Sequence, residues 1–275
     1  MIFDDRLGCS SISFRHQDLA TALQTMSAQG FQEIDLGALP GVCDHVPYVL
    51  DAEAVSSVAA VVNASGLRVR SVNGDIGDLN VVLNADDAVE RANHLEMLLT
   101  LAAAIGARAL VLPCGAQRHE PERSLDADLD LVAEQLILAA DRAAAHGIEL
   151  WTESLHFFRL CFNADRATQL HERLAGSAVG IVMDFSHVTA SGGTAVDYVK
   201  RFGPAVSHVH LRDAVPGNIH LSIGTGEADF AGGLAALRGI GYDGHFSLEL
   251  ETRDVENADR PLAAARSAEF ISALI

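Results

Sequence analysis

Basic residues are scarce in this chain. Among its 275 residues, Lys and Arg together number 19, against 37 Asp and Glu, so the formal net charge at pH 7 is −18. Such a surface repels phosphate backbones over most of its area, which disfavours nucleic acid as a partner. An anionic lipid leaflet is an equally poor partner for the same reason. We therefore expect neither nucleic acid nor a membrane among the partners.

Cysteines are also few, and signals for export are missing. The four cysteines form no C-x-x-C pair: Cys9, Cys43, Cys114 and Cys161. Their spacing argues against a zinc ribbon and against a dense disulfide framework, so reduced thiols in a cytoplasmic protein are the simplest interpretation. Residues 1–5 (MIFDD) place two acids where a signal peptide has a basic start and an apolar run. No run of eighteen apolar residues is present to span a membrane.

No Pro- or Ser-rich linker and no low-complexity segment divides the chain, which predicts one domain over residues 1–275. A unit recurs eight times instead: a short run rich in Val, Ile and Leu, a loop, and an Ala/Leu-rich segment with helical periodicity. The predicted strands are Leu7–Ile12, Glu33–Gly37, Arg68–Asn73, Ala107–Pro113, Ile148–Ser154, Gly180–Ser186, Val206–Arg212 and His245–Glu251. The predicted helices cover 17–29, 51–65, 86–105, 125–146, 165–175, 194–202, 229–239 and 256–274.

Strands that alternate with helices predict a parallel sheet. Gly30, Gly66, Gly106 and Gly147 each follow a helical run and precede a strand, the usual place of a helix C-terminal cap. Eight such units in about 250 residues fit a single (β/α)8 TIM barrel. The alternative is an open doubly wound sheet, which predicts a G-x-G-x-x-G loop after the first strand. Residues 7–11 read LGCSS, so the barrel is favoured.

The fifth to eighth predicted strands each end in a polar side chain of metal-ligand type: Glu153, Asp184, His210 and Glu249. Active sites of such barrels lie at this end of the strands, and charged groups there are costly unless they are paired or metal-bound. One such residue alone is more simply an ion-paired strand end, but four on adjacent strands favour a metal site. Three carboxylates and one imidazole suit Mn²⁺ best, with Mg²⁺, Co²⁺ and Zn²⁺ also compatible.

Three further side chains are candidates for substrate binding. His187 follows Asp184 by three residues, and it either contacts substrate or bonds to backbone. Arg212 shares a strand face with His210 and either neutralises a substrate oxyanion or pairs with a site carboxylate. His156 lies in the loop above the fifth strand, where side chains often contact a ligand.

Other residues near the strand ends favour structural roles. His208 lies one layer deeper than His210 and is expected to be a satisfied core histidine or to support a ligand. Trp151 is expected in the barrel core. The turn at 224–227 (GTGE) precedes a helix and is a weak candidate for holding an anion, because a plain loop is the commoner meaning.

These segments resemble the xylose isomerase-like barrel superfamily, particularly its sugar isomerase/epimerase branch. The matching segments occur in the family's order and cover essentially the whole chain: 149–156 (ELWTESLH), 183–187 (MDFSH), 208–213 (HVHLRD), 224–230 (GTGEADF), 241–244 (GYDG) and 247–249 (SLE). The resemblance implies one divalent metal held by two glutamates, an aspartate and a histidine, here Glu153, Glu249, Asp184 and His210. It also implies substrate contact by His187 and pairing of subunits into a homo-oligomer.

The resemblance further implies a sugar or keto-sugar isomerase or epimerase. In the family's ketose 3-epimerases two catalytic glutamates, here Glu153 and Glu249, remove and return a proton beside a carbonyl, through an enediolate that the metal stabilises. The substrate would be a small carbohydrate or a polyol-derived ketone. One alternative is a lyase or dehydratase of the same fold, of the inosose or dehydroshikimate dehydratase type or eliminating an aglycone from an oxidised glycoside. Another is a binding protein with a structural metal.

The same superfamily includes the three-zinc endonuclease IV group, but the similarity to it is partial. His220 stands where that group has a metal-binding Asp-x-His, and Asn218 replaces the acid. Residues 112–115 (LPCG) and 71–74 (SVNG) lack the expected histidines. The multi-zinc site is therefore expected to be incomplete. The substrate-binding arginine of the epimerases is also not evident beyond Arg212.

Overall fold

A computed structural model describes residues 3–275, and it contains ten strands. Met1 and Ile2, the first residues of the N-terminal segment discussed above, lie outside the described residues. The strands are β1 (Leu7–Ser10), β2 (Glu33–Ala38), β3 (Arg68–Gly74), β4 (Ala109–Pro113), β5 (Glu149–Glu153), β6 (Val179–Asp184), β7 (Val206–Leu211), β8 (Asp213–Val215), β9 (Asn218–Leu221) and β10 (Phe246–Leu248). Eight of them are parallel and close into a barrel in the order β1-β10-β7-β6-β5-β4-β3-β2. This confirms the predicted (β/α)8 TIM barrel.

Helices separate the barrel strands along the chain. They are α1 (Leu19–Gln29), α2 (Ala52–Ser65), α3 (Ala85–Ala104), α4 (Leu125–Ala145), α5 (Ala164–Leu174), α6 (Phe185–Ala190), α7 (Ala195–Phe202), α8 (Phe230–Gly239) and α9 (Arg260–Ser272). Short polar side chains start several of them: Asp51, for example, accepts a hydrogen bond from the backbone N–H of Ala54. The four glycines predicted to end helices all have positive φ, as a left-handed cap requires. No helix of residues 3–275 is long and apolar enough to cross a membrane.

Two elements were not predicted, and both follow strands that carry site residues. Helix α6 begins directly after Asp184, whose carboxylate caps it by accepting from the N–H groups of Ser186 and His187. The predicted sixth strand therefore ends two residues early. Strands β8 and β9 form an antiparallel hairpin in the loop after β7. The first strand is also shorter than predicted, because Ser10 caps a 3₁₀ turn over residues 11–14.

The apolar core fills the layer between barrel and helices, and a smaller cluster of Ala109, Val111, Trp151 and Val182 fills the barrel interior. Trp151 is buried there, as predicted. Its indole N–H donates to Glu149 at 2.9 Å. The C-terminal end of the barrel, by contrast, buries charged groups.

Candidate active site

The four predicted metal-ligating side chains meet at the C-terminal end of the barrel. Glu153 ends β5, Asp184 ends β6, and His210 lies opposite Asp184 in the register of β6 with β7. Glu249 follows β10, and its backbone N–H extends the pairing with β7 by donating to Leu211 O at 3.1 Å. All four side chains are buried, and one donor atom from each lies within 4.8 Å of the others.

This cluster has the donor set and spacing of a metal site. Glu153 Oε1, Asp184 Oδ2 and His210 Nδ1 are buried and lack hydrogen-bond partners, which costs free energy unless another group satisfies them. His210 Nδ1 lies 3.7 Å from Glu153 Oε1 and 3.6 Å from Glu249 Oε1. Two ligands held about 2.2 Å from one ion at the tetrahedral angle are about 3.6 Å apart. The residues therefore fit a single divalent cation.

The cluster also concentrates negative charge. Burial raises the pKa of Glu249 to about 7, and burial likewise raises the pKa of Glu153. Burial opposes charge on His210, yet Glu249, Asp35 and Glu153 together raise the pKa of His210 well above its ordinary value. A bound cation would relieve this excess of negative charge.

Asp35 on β2 is a site residue that the sequence did not reveal. It is fully buried beneath His210, whose Nε2 lies 3.4 Å from Asp35 Oδ2. Ser71 donates to Asp35 Oδ1 and His208 Nε2 donates to Asp35 Oδ2, both at 2.8 Å. Burial opposes its charge, but His208 and His210 hold the pKa of Asp35 well below its ordinary value. His208, expected to be a core histidine or to support a ligand, bonds to this carboxylate, and its Nδ1 lies 3.1 Å from the carbonyl oxygen of His245.

Arg212 is almost wholly buried beside the cluster. Its guanidinium lies 3.5 Å from Asp184 Oδ2 and 3.8 Å from Glu249 Oε2. It also donates to Ser186 Oγ at 3.0 Å and pairs with Glu251 at 3.4 Å. The ion pairs with site carboxylates, one of its two predicted roles, are thus present. Arg212 also lines the cavity above the site, so contact with substrate stays a prediction.

His156 and His187 stand together on one wall of this cavity, with ring centroids 3.9 Å apart. His156 Nε2 lies 3.7 Å from Glu153 Oε2, and His187 Nε2 lies 3.9 Å from Glu153 Oε1. Burial lowers the pKa of both rings well below the ordinary value, and each ring also faces neighbouring cationic groups. Both are therefore kept neutral. Five of the seven predicted site residues line this cavity, and the other two, Asp184 and His210, lie in the buried cluster with Glu153 and Glu249.

The cavity measures about 220 Å³ and suits one small molecule. Two further residues line it that the sequence did not reveal. Asn73, at the end of β3, donates from Nδ2 to Glu249 Oε1 at 3.0 Å. Arg159 donates to Asp75 at 2.6 Å and so ties the loop after β5 to the loop after β3. Their positions at a strand end or in a βα loop, where barrel proteins place site residues, are the sequence feature that could have identified them.

The glycine-rich turn at 224–227 does not hold an external anion in this fold. The carboxylate of Asp213 lies in it and accepts from the backbone N–H groups of Gly224, Gly226 and Ala228 at 2.8–3.0 Å. This favours the plain loop, the commoner meaning of such a turn, over the weak alternative of an anion site, because a buried side chain already occupies the N–H groups.

His220 lies on β9, at the rim of the cavity, and donates from Nδ1 to Glu251 O at 3.0 Å. In the part of the chain that the structure describes, no close group of ligand-type side chains includes His220. The expectation that the multi-zinc site of the endonuclease IV group is incomplete here stays a prediction.

Comparison with known proteins identifies the family of this chain. The model of the xylose isomerase-like TIM barrel matches residues 23–274. The chain belongs to this family. Uncharacterized protein MJ1311 of Methanocaldococcus jannaschii is 25% identical over 263 residues, covering 90% of this chain and 84% of that protein.

Two solved structures share the fold at low identity. The apo 3-keto-D-glucoside 4-epimerase YcjR of E. coli superposes with a TM-score of 0.74 at 20% identity, covering 95% of this chain and 99% of that one. The IolI protein with a bound zinc atom superposes with a TM-score of 0.78 at 16% identity, covering 98% and 99% of the two chains. At these identities the likeness concerns the fold.

Proposed function

We propose that this protein is a divalent-metal-dependent isomerase or epimerase of a sugar or keto-sugar. The observation that carries the proposal is the convergence of three buried ligand atoms without hydrogen-bond partners, on Glu153, Asp184 and His210, beside a small cavity that Glu153 and Glu249 line. The epimerase activity of the similarly folded YcjR and the zinc atom in IolI support it by analogy.

Glu153, Asp184, His210 and Glu249 would hold the ion. Mn²⁺ is our first choice, because three carboxylate oxygens and one imidazole nitrogen suit a cation of intermediate hardness. When bound, the ion supplies positive charge beside a substrate carbonyl and so acidifies the neighbouring C–H.

Glu153 and Glu249 would act as the catalytic acid–base pair. Each is a buried carboxylate whose pKa is raised, which makes it a stronger base and lets it hold a proton between steps. One removes the proton from the carbon beside the carbonyl, and a proton returns either to the opposite face of that carbon or to the former carbonyl carbon, in which case the hydroxyl proton also moves to the former carbonyl oxygen. The first outcome is epimerisation and the second is isomerisation. His187, His156 and Arg212 would bind the oxygens of the substrate.

The proposal also includes the class of substrate, the domain organisation, the location and the oligomeric state. The substrate is a small carbohydrate or polyol-derived ketone rather than a polymer, given the size of the cavity. The protein acts as one domain in the cytoplasm, and its barrel helices pair subunits into a homo-oligomer.

Deuterium incorporation from D₂O tests the proposal. The Mn²⁺-loaded protein is incubated with a panel of ketoses, keto-inositols and 3-keto-glycosides, and products are analysed by mass spectrometry and chromatography. An epimer or isomer carrying deuterium supports the proposal. Loss of water or of an aglycone would move the protein to the lyase class, and tight metal binding without exchange in any compound would favour a structural metal.

Matched variants assign the chemistry to the site. Glu153→Gln and Glu249→Gln should reduce exchange at least 100-fold, because each removes a base positioned at the reacting carbon. Glu149→Gln is the control, since Glu149 lies at the opposite end of the same strand as Glu153. Full exchange in both folded site variants would refute the mechanism.

A further inference from the structure

Three arginines line the cavity beside the proposed metal site: Arg159, Arg212 and Arg253. Basic residues are scarce in this chain, with 19 Lys and Arg against 37 Asp and Glu. Where acids are in such excess, an arginine without an acidic partner stands out. The partners of these three arginines therefore show whether the cavity has positive charge available to a ligand.

Arg212 and Arg159 are paired within the protein. The Arg212 guanidinium faces three carboxylates at 3.4–3.8 Å. Arg159 donates from Nη2 to Asp75 Oδ2 at 2.6 Å and from Nη1 to Gly115 O at 2.9 Å. Its Nε–H, however, is buried and has no hydrogen-bond partner, which costs free energy. Because Arg159 lines the cavity, an acceptor on a bound ligand is the partner available to this N–H.

Arg253 differs from the other two, because its charge has no partner. In the described range 3–275 its guanidinium forms no ion pair and no hydrogen bond. The acids nearest to it along the chain are engaged elsewhere. Glu251 pairs with two other arginines at 2.7 and 3.4 Å, and Asp254 accepts hydrogen bonds from the loop after β9 at 2.8–3.2 Å. Arg253 therefore brings an uncompensated positive charge to the cavity.

The backbone of Arg253 is fixed at the rim of the cavity. Its N–H donates to His220 O at 3.0 Å, which ties the loop after β10 to β9. Burial lowers the pKa of His220 against the opposing effect of Glu251, and the charges of Arg212 and Arg253 lower it further. Since His220 also lines the cavity, positive charge acts on this side of it.

The two ends of the cavity carry different groups. Glu249 directly follows β10, whereas Arg253 lies four residues later in the same loop. Similarly, Glu153 ends β5, and Arg159 lies in the loop that follows. The inner end thus holds the carboxylates of the proposed chemistry, and the outer end holds guanidinium groups. A guanidinium binds a carboxylate or a phosphate through parallel N–H···O bonds.

We propose that Arg253 and Arg159 form a subsite for an oxyanion at the outer end of the cavity, so that the substrate is an acidic sugar derivative. Its class is a small keto-sugar that carries a carboxylate or a phosphate. Arg253 supplies the uncompensated charge, and Arg159 supplies its free Nε–H. The choice of a keto-sugar rests on the proposed function, whereas the binding of an oxyanion does not.

Titration calorimetry with D-gluconate, D-glucitol 6-phosphate and D-glucitol tests the subsite, because the three probes share a six-carbon polyol chain. The Mn²⁺-loaded protein is used throughout, so that any contribution of the ion is common to all variants. At least one anion should bind about 10-fold or more tightly than D-glucitol, and the tighter of the two distinguishes carboxylate from phosphate. Arg253→Gln should abolish this preference without changing the affinity for D-glucitol, whereas Arg253→Lys should keep most of it.

Arg266→Gln is the matched control, since Arg266 is an exposed arginine on α9 that does not line the cavity. It should leave all three affinities unchanged. Equal binding of the three probes, or an unchanged preference in Arg253→Gln, would overturn the proposal.

Kinetics separate this proposal from the proposed function. The D₂O assay is extended to keto-aldonates and ketose phosphates beside the neutral ketoses. Arg253→Gln should raise KM for the acidic compounds about 10-fold or more and change kcat little, because Arg253 binds a part of the substrate away from the reacting carbon. Exchange of neutral ketoses without exchange of acidic ones would refute the acidic substrate and leave the proposed function standing. If no compound exchanges, the proposed function fails, and calorimetry alone decides the subsite.

Discussion

Asp35 contacts one of the predicted metal ligands without being a ligand itself. Its substitution should therefore weaken metal binding while all four ligands remain in place. Its carboxylate accepts from Ser71 and His208 and lies 3.4 Å from His210 Nε2. The opposite nitrogen, His210 Nδ1, faces the carboxylates of the site at 3.6–3.7 Å. The negative charge of Asp35 beside Nε2 therefore favours the His210 tautomer with its proton on Nε2 and its free nitrogen toward the other ligands, as a carboxylate behind a ligating histidine does.

The substitution Asp35→Asn keeps the shape of the side chain and removes its charge. A carboxylate behind a ligating histidine typically contributes 10- to 100-fold to metal affinity, or about 1.4–2.7 kcal/mol. The loss of charge-assisted hydrogen bonds in the interior should also lower the free energy of unfolding by about 1.5–3 kcal/mol. For a chain of this length that is a drop in Tm of roughly 3–12 °C.

Titration calorimetry with Mn²⁺ and thermal unfolding of the metal-free protein measure the two effects. The control is Ser71→Ala, because the Ser71 hydroxyl reaches only Asp35 Oδ1 and leaves His210 untouched. This control should cost about 1 kcal/mol of stability with an unchanged metal affinity. The reasoning is refuted if Asp35→Asn binds Mn²⁺ as tightly as the native protein, or if Ser71→Ala weakens binding equally.

Two further results are expected from the same geometry. Metal at 100 times its Kd should stabilise the folded protein by about 2.7 kcal/mol, which corresponds to a rise in Tm of roughly 5–11 °C. Scanning calorimetry should find no such rise in His210→Gln. A rise in that variant would contradict the assignment of His210 as a ligand. Gly226→Ala should lower the free energy of unfolding in urea by more than about 2 kcal/mol, because a Cβ would lie 2.3 Å from Asp213 Oδ1 and 2.4 Å from Ala214 O, whereas Gly239→Ala meets nothing within 4 Å and serves as the control.

The barrel fold and the meeting of four metal-ligand candidates could be predicted, because each depends on patterns that are local in the sequence. Alternating apolar strands and helices predict a parallel barrel, and in a parallel barrel all strand C-termini meet at one end. Glu153, Asp184, His210 and Glu249 each stand at such an end, so their meeting follows from topology alone. The register of β6 with β7, which puts Asp184 opposite His210, did not have to be known in advance.

Asp35 and the hairpin β8–β9 could not be predicted in the same way. Asp35 lies within a strand between Ile34 and Leu36, where an acid resembles any residue on a solvent face. Only contacts with residues 36 and 173 positions away reveal that it faces inward. Similarly, the glycine-rich turn at 224–227 looks like an anion site until the fold places the Asp213 carboxylate in it. Long-range contacts, not local pattern, decide such roles.

The buried charges at the barrel end suit a divalent ion. Glu153, Asp184 and Glu249 carry three negative charges when ionised, and Arg212 lies within 3.8 Å of two of them and offsets one. A single divalent ion offsets the other two. Buried charges are tolerated only when they are compensated, and the buried carboxylates of the cluster would compensate such an ion. The ion pairs of Arg212 and the carboxylates of Glu153, Asp184 and Glu249 thus belong to one set of compensating charges, below a cavity that suits a small ligand.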